Sequence, residues 1–147
     1  MDLDRSNLPE GEEKYEVVRE MFDRIAPRYD LVNRIMTFRL DVRWRKKTVK
    51  ALALPAESIV IDLACGTGDF CIELEKADMF PLGFDFSFGM LEASRSTTQL
   101  SQADVLRLPI RESAIDGATC GFALRNLTAL PAFFEEVARV LKPGGRI

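Results

Sequence analysis

Residues 59–69, which read IVIDLACGTGD, decide the fold. They begin with a short apolar run rich in β-branched side chains, which is typical of a strand buried on both faces of a parallel sheet. Small residues and glycines follow, and the pattern then predicts a helix over residues 68–77. Such a glycine turn lets a ligand approach the backbone closely, and the amides at the helix N-terminus favour a negatively charged group.

Strand and helix patterns alternate along the rest of the chain, which predicts an α/β fold with a parallel sheet. The first third is helical, with helices over residues 12–25, which Pro27 ends, then around 29–36 and over 41–52. We expect Pro81 to lie just before the second strand, because proline cannot donate inside a central strand. The later predicted elements are strands at 82–85, near Leu100 and at 115–124, helices at 88–95 and 131–141, a turn at 142–145, and the start of another strand at Arg146.

The glycine turn differs from a nicotinamide-binding loop. That loop needs the pattern GxGxxG, whose third glycine packs the helix against the strand. Here Cys71 takes the place of the third glycine, and Asp62 precedes the first one by four residues. These differences argue against a pyrophosphate ligand.

Acidic residues follow successive predicted strands. Asp62 ends the first strand, Asp85 the second, and Asp104 follows the third. The carboxyl ends of parallel strands are where open α/β sheets bind ligands, and an acid in the position of Asp85 accepts the hydroxyls of a ribose. Asp104 is placed to accept from an adenine amino group, with Met90 and Val105 against the ring. S-adenosylmethionine fits this pattern because its sulfonium and ammonium groups are cationic and its carboxylate suits a helix N-terminus.

The composition excludes several kinds of chemistry. The 147 residues, of which 47 % are hydrophobic, suit one core, and they include no histidine. Histidine-dependent nucleophile systems, histidine-ligated zinc and imidazole bases are therefore excluded. The three cysteines, Cys65, Cys71 and Cys120, form no CxxC pair and are predicted to be small buried hydrophobic residues in a reducing cytosol.

Basic side chains are concentrated in residues 34–50. Seven Lys or Arg residues in that segment face one acid, Asp41, although the net charge of the whole chain is −3 and gives no reason to expect a nucleic-acid partner. The segment is either a solvated helix face or a surface that meets anionic lipid headgroups. No apolar run approaches the ~20 residues that span a bilayer. The predicted location is the cytoplasm, with peripheral contact at the inner face of the cell membrane.

Three segments resemble the class I S-adenosylmethionine methyltransferases, and specifically the ubiquinone/menaquinone biosynthesis C-methyltransferases. They are FDRIAPRYDLVN at residues 22–33 with Trp44 downstream, the glycine turn with DFSFGML at 85–91, and GFALRN at 121–126 followed by RVLKPGGR at 139–146. The resemblance implies cofactor contacts at Thr67, Asp85, Asp104, Val105 and Gly121. With the rest of the glycine turn and its neighbours, the predicted cofactor set is Asp62, Ala64, Gly66, Thr67, Gly68, Asp85, Phe86, Met90, Asp104, Val105 and Gly121.

The resemblance also implies a substrate, a demethylated quinol with a prenyl tail that receives one ring methyl group. A fixed cation near the quinol hydroxyl stabilises the phenolate that makes the ring carbon nucleophilic. Arg125 is our candidate for that cation, and Asn126 for a hydrogen-bond partner. Tyr29, Asp30 and Asn33 are expected to come from a helical lid, with Asp30 receiving the proton through water.

The chain departs from the family pattern in two places. Asp41 stands where many members have a histidine, and this favours menaquinone as the product. The family fold continues for several elements after Gly145, so we expect a sheet truncated after the fourth strand and its helix, with an exposed edge that favours a homodimer. The expected organisation is a helical substrate segment at 1–54 and a cofactor-binding α/β domain at 55–147. The alternatives are a class I methyltransferase for another small molecule, including the ubiquinone-pathway quinol, or an inactive cofactor-binding fragment.

Overall fold

The computed structural model describes residues 11–36, 40–127 and 129–147, and within the first range it describes the side chains of residues 13–28. Five parallel strands form one sheet in the order β3-β2-β1-β4-β5. The predicted α/β class is therefore confirmed. The strands are β1 (Ile59–Leu63), β2 (Phe80–Asp85), β3 (Gln99–Gln102), β4 (Ile115–Thr119) and β5 (Leu141–Arg146). The helices are α1 (Gly11–Met36), α2 (Leu40–Leu52), α3 (Asp69–Glu75), α4 (Phe88–Glu92) and α5 (Leu130–Val140), with a 3-10 turn at Leu124–Asn126.

Strand β1 lies at the centre of the sheet and is buried on both faces. Ile61 and Leu63 join a core cluster that contains Phe133 of α5. Val60 points to the opposite face, into a cluster with Val49 of α2 and residues of α3. Because β2 and β4 flank β1 on opposite sides, the chain reverses its winding here, and the carboxyl end of β1 is where this kind of sheet opens a ligand crevice.

Helix α1 continues through Pro27 to Met36, so the prediction that Pro27 ends it is wrong. A proline inside a helix removes one backbone hydrogen bond and crowds the preceding turn. Tertiary contacts hold the helix on the preceding turn: the Asp23 carboxylate accepts hydrogen bonds from Ser87 and Gly89, and Ala26 is buried. Packing against α4 therefore overrides the local helix-breaking signal.

Pro81 lies inside β2, opposite Val60, and not before the strand as expected. The neighbouring amide of Phe80 donates toward β1, to the Ser58 carbonyl, so the nitrogen of Pro81 faces the other side. On that side the pairing with β3 begins only at Leu82. The proline therefore costs the sheet no hydrogen bond.

Strand β4 ends at Thr119, five residues earlier than predicted, and Leu124 begins the 3-10 turn. Phe122 has a φ of 62°, which is incompatible with an extended strand. Next to β4 in the sheet, the predicted turn at 142–145 lies within β5. That strand pairs with β4 at both of its ends and has an irregularity between them. The predicted truncation after the fourth strand and its helix is therefore wrong by one strand: β3 and β5 are the two edges, and β4 is paired on both sides.

Candidate functional site

A cavity of about 1140 Å³, a volume that includes its open mouth, lies above the carboxyl ends of β1, β2 and β4. The fold brings ten of the eleven predicted cofactor residues together in its wall: Asp62, Ala64, Gly66, Thr67, Asp85, Phe86, Met90, Asp104, Val105 and Gly121. Gly68 lies outside the lining, where it precedes α3 with a φ of 87°. A side chain at Gly68 would also meet Ser96, so both its φ and its surroundings favour glycine.

The glycine turn is tightly wound. Ala64, Gly66 and Gly68 all adopt the left-handed backbone conformation, with φ of 54°, 56° and 87°. The Gly68 amide donates to the Cys65 carbonyl at 2.9 Å, which closes the turn. A Cβ atom at Gly66 would approach the Met90 side chain to 2.9 Å. The positive φ favours glycine at this position, the Met90 contact is with the end of a flexible side chain, and the backbone is left exposed to the cavity.

Asp85 is oriented by two backbone hydrogen bonds. Its Oδ2 accepts the Gly66 amide at 2.7 Å, and its Oδ1 accepts the Ser87 amide at 2.8 Å. Burial raises the pKa of Asp85, and backbone hydrogen bonds from Ser87, Gly66 and Phe86 oppose that rise. The result is an oriented carboxylate whose remaining lone pairs can accept from a pair of neighbouring hydroxyls.

Asp62 lies deeper, only 1 % exposed, and its Oδ1 accepts the Thr119 hydroxyl at 2.7 Å. Burial raises the pKa of Asp62 to about 7, while the Thr119 hydrogen bond opposes the rise. Asp85 raises this pKa further. A cationic ligand beside Asp62 would stabilise its charged form, so this end of the cavity favours a cation.

Asp104 stands at the exposed side of the cavity, next to the buried side chains of Val105 and Met90. Its Oδ1 accepts the Leu106 amide at 2.9 Å, which orients the carboxylate. The Tyr15 ring lies in the same wall, and its pKa is raised by burial and by the negative charge of Asp104. An acceptor beside an apolar slot is the arrangement that an adenine ring requires.

Helix α1 supplies a wall of the cavity that the sequence analysis did not assign. Tyr15, Val18 and Phe22 line it, and Phe86 contacts the rings of Tyr15 at 5.2 Å and of Phe22 at 6.3 Å between centroids. Their helical spacing signalled an apolar face on α1. What the spacing could not show is that this face packs over the end of β2.

Arg45 is a second residue that the sequence analysis did not assign. It is 9 % exposed, lines the cavity, and pairs with Asp41 at 2.8 Å and Asp69 at 3.1 Å. Neither alternative for the basic segment, a solvated helix face or a surface that meets lipid headgroups, applies to Arg45, because two carboxylates hold its side chain in the cavity wall. The i,i+4 spacing of Asp41 and Arg45 was the available signal. The exposed cations of α2 are Arg43, Lys46, Lys47 and Lys50.

The predicted catalytic residues fall into two groups. Asn126 lines the cavity, while Arg125 is exposed on the same 3-10 turn and is not among the described lining residues. Tyr29, Asp30 and Asn33 belong to α1, but their side chains lie outside the part of the chain that the structure describes.

The prediction of small buried cysteines is confirmed for Cys65 and Cys71 but only in part for Cys120. Cys65 and Cys71 are buried, Cys120 is half-buried, and all three are free thiols. Burial raises the pKa of the Cys120 thiol to about 12 and that of the other two thiols as well. The thiolate forms needed for nucleophilic or redox chemistry are thus disfavoured. Within the described ranges, no group of three potential metal-binding side chains occurs, and no helix is long and apolar enough to cross a membrane.

The sheet order, the glycine turn and the cavity above it are features of one known fold. The fold is that of the class I methyltransferases, and it matches a putative S-adenosyl-L-methionine-dependent methyltransferase from Methanococcus maripaludis with a TM-score of 0.63. That match is 22 % identical in sequence and covers 95 % of this chain and 64 % of the other, so it shows the fold alone.

The sequence comparisons narrow the class to a family. Residues 10–147 match the model of the ubiE/COQ5 methyltransferase family, and the chain belongs to that family. It is 43 % identical to the demethylmenaquinone methyltransferase of Corynebacterium kroppenstedtii, over 92 % of this chain and 60 % of the relative. It is 39 % identical to the ubiquinone/menaquinone biosynthesis C-methyltransferase of Syntrophotalea carbinolica, over 88 % of this chain and 58 % of the relative. The chain thus spans about three fifths of the length of these curated relatives.

Proposed function

We propose that the chain binds S-adenosylmethionine and takes part in the C-methylation of a demethylated prenyl quinol. The reaction would convert demethylmenaquinol to menaquinol. The observation that carries the proposal is the convergence of Asp62, Asp85 and Asp104 around the glycine turn in one cavity. Family membership and the demethylmenaquinone methyltransferases among its relatives support the reaction type and the substrate class.

The residues present suit each part of this cofactor. Asp85 would accept from the ribose hydroxyls, and Asp104 would accept from the adenine amino group. Asp62 would face the cationic amino-acid end, whose carboxylate would meet the amides of the glycine turn. When bound, S-adenosylmethionine supplies an electrophilic methyl group, so the protein needs to align the acceptor carbon and exclude water.

The acceptor carbon becomes nucleophilic when the neighbouring quinol hydroxyl loses its proton. We propose that Arg125 stabilises the phenolate and that Asn126, in the cavity wall, holds the same oxygen. Tyr29, Asp30 and Asn33 would complete the site from α1, with Asp30 accepting the proton through water. Residues 1–54 would then act as the substrate segment and residues 55–147 as the cofactor-binding unit.

A route for the prenyl tail is suggested by an exposed aromatic pair. Phe122 lines the cavity and contacts Trp44 at 6.1 Å between ring centroids, and both side chains are about half exposed. Trp44 lies on α2 among the exposed cations Arg43, Lys46 and Lys47. Tryptophan beside cations suits a membrane interface, so we propose that this surface meets anionic lipid and that the tail enters there.

The exposed edge of the sheet also led to the prediction of a homodimer, which would form by pairing of β5 with a second copy. Lys142 and Pro143 on this edge strand argue against such pairing, because a charge and a proline both weaken it. Sedimentation velocity at several protein concentrations tests it: a dimer supports pairing at the edge, and a monomer at every concentration removes it.

The test of the proposed function is transfer of a labelled methyl group from S-adenosylmethionine to demethylmenaquinol in detergent micelles. A product that is heavier by one methyl group and absent with Asp85→Ala supports the proposal. Cofactor binding without transfer favours the inactive fragment, and transfer to other small phenols but not to the prenyl quinol favours a different class I methyltransferase. An Arg125→Met variant separates phenolate stabilisation from cofactor binding, because it should lower methyl transfer and leave the affinity for S-adenosylmethionine unchanged.

A further inference from the structure

Asp23 joins the N-terminal helix to the cofactor side of the sheet. From α1, its Oδ1 accepts the Ser87 hydroxyl at 2.5 Å and the Gly89 amide at 2.9 Å. These partners are 64 and 66 residues away in the sequence. Asp23 is itself exposed, but hydrogen bonds to a charged acceptor are roughly twice as strong as neutral ones, so these two contacts help to hold α1 against α4.

The backbone of α1 lies directly against Gly89. A Cβ atom at Gly89 would come within 2.9 Å of the Asp23 Cα and 3.1 Å of the Asp23 carbonyl oxygen. Since these are backbone atoms, a methyl group at Gly89 would move the helix and not merely a side chain. The close approach is thus a second, independent contact that depends on α1 being seated.

Ser87 transmits the contact to the cofactor acid. It is fully buried, and while its hydroxyl donates to Asp23, its amide donates to Asp85 at 2.8 Å. Its hydroxyl oxygen also accepts the Met90 amide at 3.2 Å, and the Met90 side chain packs on Gly66 in the glycine turn. Two chains of contacts therefore connect Asp23, through Ser87, to the glycine turn. One runs through the Asp85 carboxylate and the other through Met90.

The same helix covers the cavity. Tyr15 and Phe22 lie on α1 and contact Phe86, which follows Asp85 in the chain. Both rings line the cavity with Asp85, so a movement of α1 would open the wall beside a ligand held by Asp85.

We propose that Asp23 is a positioning residue that clamps α1 over the cavity and, through Ser87, holds Asp85 in its ligand-binding orientation. The inference rests on the proposed function, since the ligand is taken to be S-adenosylmethionine or its product S-adenosylhomocysteine. In this arrangement Asp23 does not touch the ligand. It sets the rate at which the ligand leaves.

The seating of α1 is tested without any ligand, by hydrogen exchange of residues 13–28 in the full chain. Asp23→Ala removes the acceptor, and Gly89→Ala displaces the helix with no change of charge; each should speed exchange about 10-fold or more, as expected for a lost hydrogen bond to a charged group. Glu20→Gln, an exposed acid one turn earlier on α1, is the matched control and should exchange like wild type. Unchanged exchange in both Asp23→Ala and Gly89→Ala would overturn the clamp.

The link to the ligand is tested by the dissociation rate of S-adenosylhomocysteine, measured by stopped-flow competition. We expect about 10-fold faster release from Asp23→Ala and Gly89→Ala, and an intermediate rate from Asp23→Asn, which keeps an acceptor oxygen. Ser87→Ala should add little to Asp23→Ala, because both interrupt the same path. A purely structural role would lower the free energy of unfolding of these variants and leave the release rate of S-adenosylhomocysteine unchanged.

The outcomes separate the clamp from the proposed function. Faster exchange in α1 with an unchanged release rate overturns the link between Asp23 and the ligand. If wild-type protein does not bind S-adenosylhomocysteine, the proposed function fails, while the exchange experiment still decides whether Asp23 seats the helix.

Discussion

The Gly66 amide donates to Asp85 Oδ2 at 2.7 Å, which joins the glycine turn to the acid at the end of the neighbouring strand. The two residues are 19 positions apart, and β1 and β2 pair directly behind them. A single carboxylate thus both shapes the turn and presents acceptor atoms to the cavity. Ligand binding and turn geometry are therefore expected to change together.

Removing Asp85 should loosen the turn even when no ligand is present. Asp85→Ala leaves the Gly66 and Ser87 amides without their acceptor, and we expect their hydrogen exchange to rise roughly 10-fold. Exchange measured by NMR, residue by residue, checks this. Asp104→Ala is the matched control, because the Asp104 carboxylate bonds the Leu106 amide instead. Equal protection of Gly66 in wild type and Asp85→Ala would contradict the prediction.

The buried acid Asp62 should make stability depend on pH. Its pKa is about 7 in the folded protein and near 3.8 when unfolded, so the folded state retains a proton that the unfolded state releases between these values. The contribution of this proton is complete below pH 4 and is lost as the pH rises to 7. Relative to Asp62→Asn, wild type should lose on the order of 2 kcal/mol of unfolding free energy between pH 5 and 7.

Urea denaturation of both proteins across this pH range measures the difference. Asparagine is uncharged and can still accept the Thr119 hydroxyl, so the variant isolates the titration. Parallel stability curves for wild type and Asp62→Asn would show that Asp62 does not titrate in this range.

Gly121 should tolerate no side chain, because a Cβ atom there would lie 2.3 Å from the Phe70 ring. Phe70 also lines the cavity, so Gly121→Ala is expected to push this ring and to destabilise the fold by about 1–3 kcal/mol. Thermal unfolding measures the loss of stability, and calorimetry measures the loss of cofactor affinity that the displaced ring should cause. Adding Phe70→Leu should restore part of the stability and part of the affinity. A Gly121→Ala protein as stable as wild type would refute the crowding argument.

Arg45 should be required for folding stability. Arg45→Met leaves Asp41, which is 3 % exposed, without its guanidinium partner, and breaking a buried pair in this way costs about 3–5 kcal/mol. Lys46→Met, the exposed neighbour on α2, is the matched control and should cost under about 0.5 kcal/mol. Denaturant midpoints compare them. Arg45→Met/Asp41→Asn should recover stability, and equal midpoints for the two single variants would contradict the buried ion pair.

The exposed cations of α2 should bind the protein to anionic lipid. Vesicle sedimentation should show binding to phosphatidylglycerol vesicles that falls with added salt and with Lys46→Glu/Lys47→Glu. Arg95→Glu/Arg111→Glu makes the same change of charge at exposed residues outside α2 and should leave binding unchanged. Equal binding to neutral vesicles, or binding that high salt does not weaken, would exclude this surface.

The sequence pattern predicted the parallel α/β class, the buried strand β1 and the three acids Asp62, Asp85 and Asp104 that line the cavity, because each depends on local signals. A β-branched run, a glycine turn and acids after strands retain their meaning in any tertiary context. The elements that were predicted wrongly depend on contacts between distant residues. Pro27 does not end α1 because Asp23 anchors the helix on α4. Pro81 fits inside β2 because the pairing of β2 with β3 begins only at the next residue, Leu82.

The site residues that the sequence did not reveal also depend on contacts between distant residues. Tyr15 and Phe22 carry a clear helical period, but only the fold shows that they cover Phe86. Arg45 belongs to a run of cations and differs from its neighbours only by its burial between Asp41 and Asp69. Periodicity identifies a buried face; it does not identify the element that the face contacts.

The most direct test of the central claim is isothermal titration calorimetry of S-adenosylmethionine with wild type, Asp85→Ala and Asp116→Ala, a control that removes a carboxylate outside the cavity. We predict one site per chain in wild type and in Asp116→Ala, and affinity at least about 30-fold weaker in Asp85→Ala, since two hydroxyl contacts to a charged acceptor are lost. Absence of binding to wild type, or equal affinities for wild type and Asp85→Ala, would contradict the assignment of this cavity.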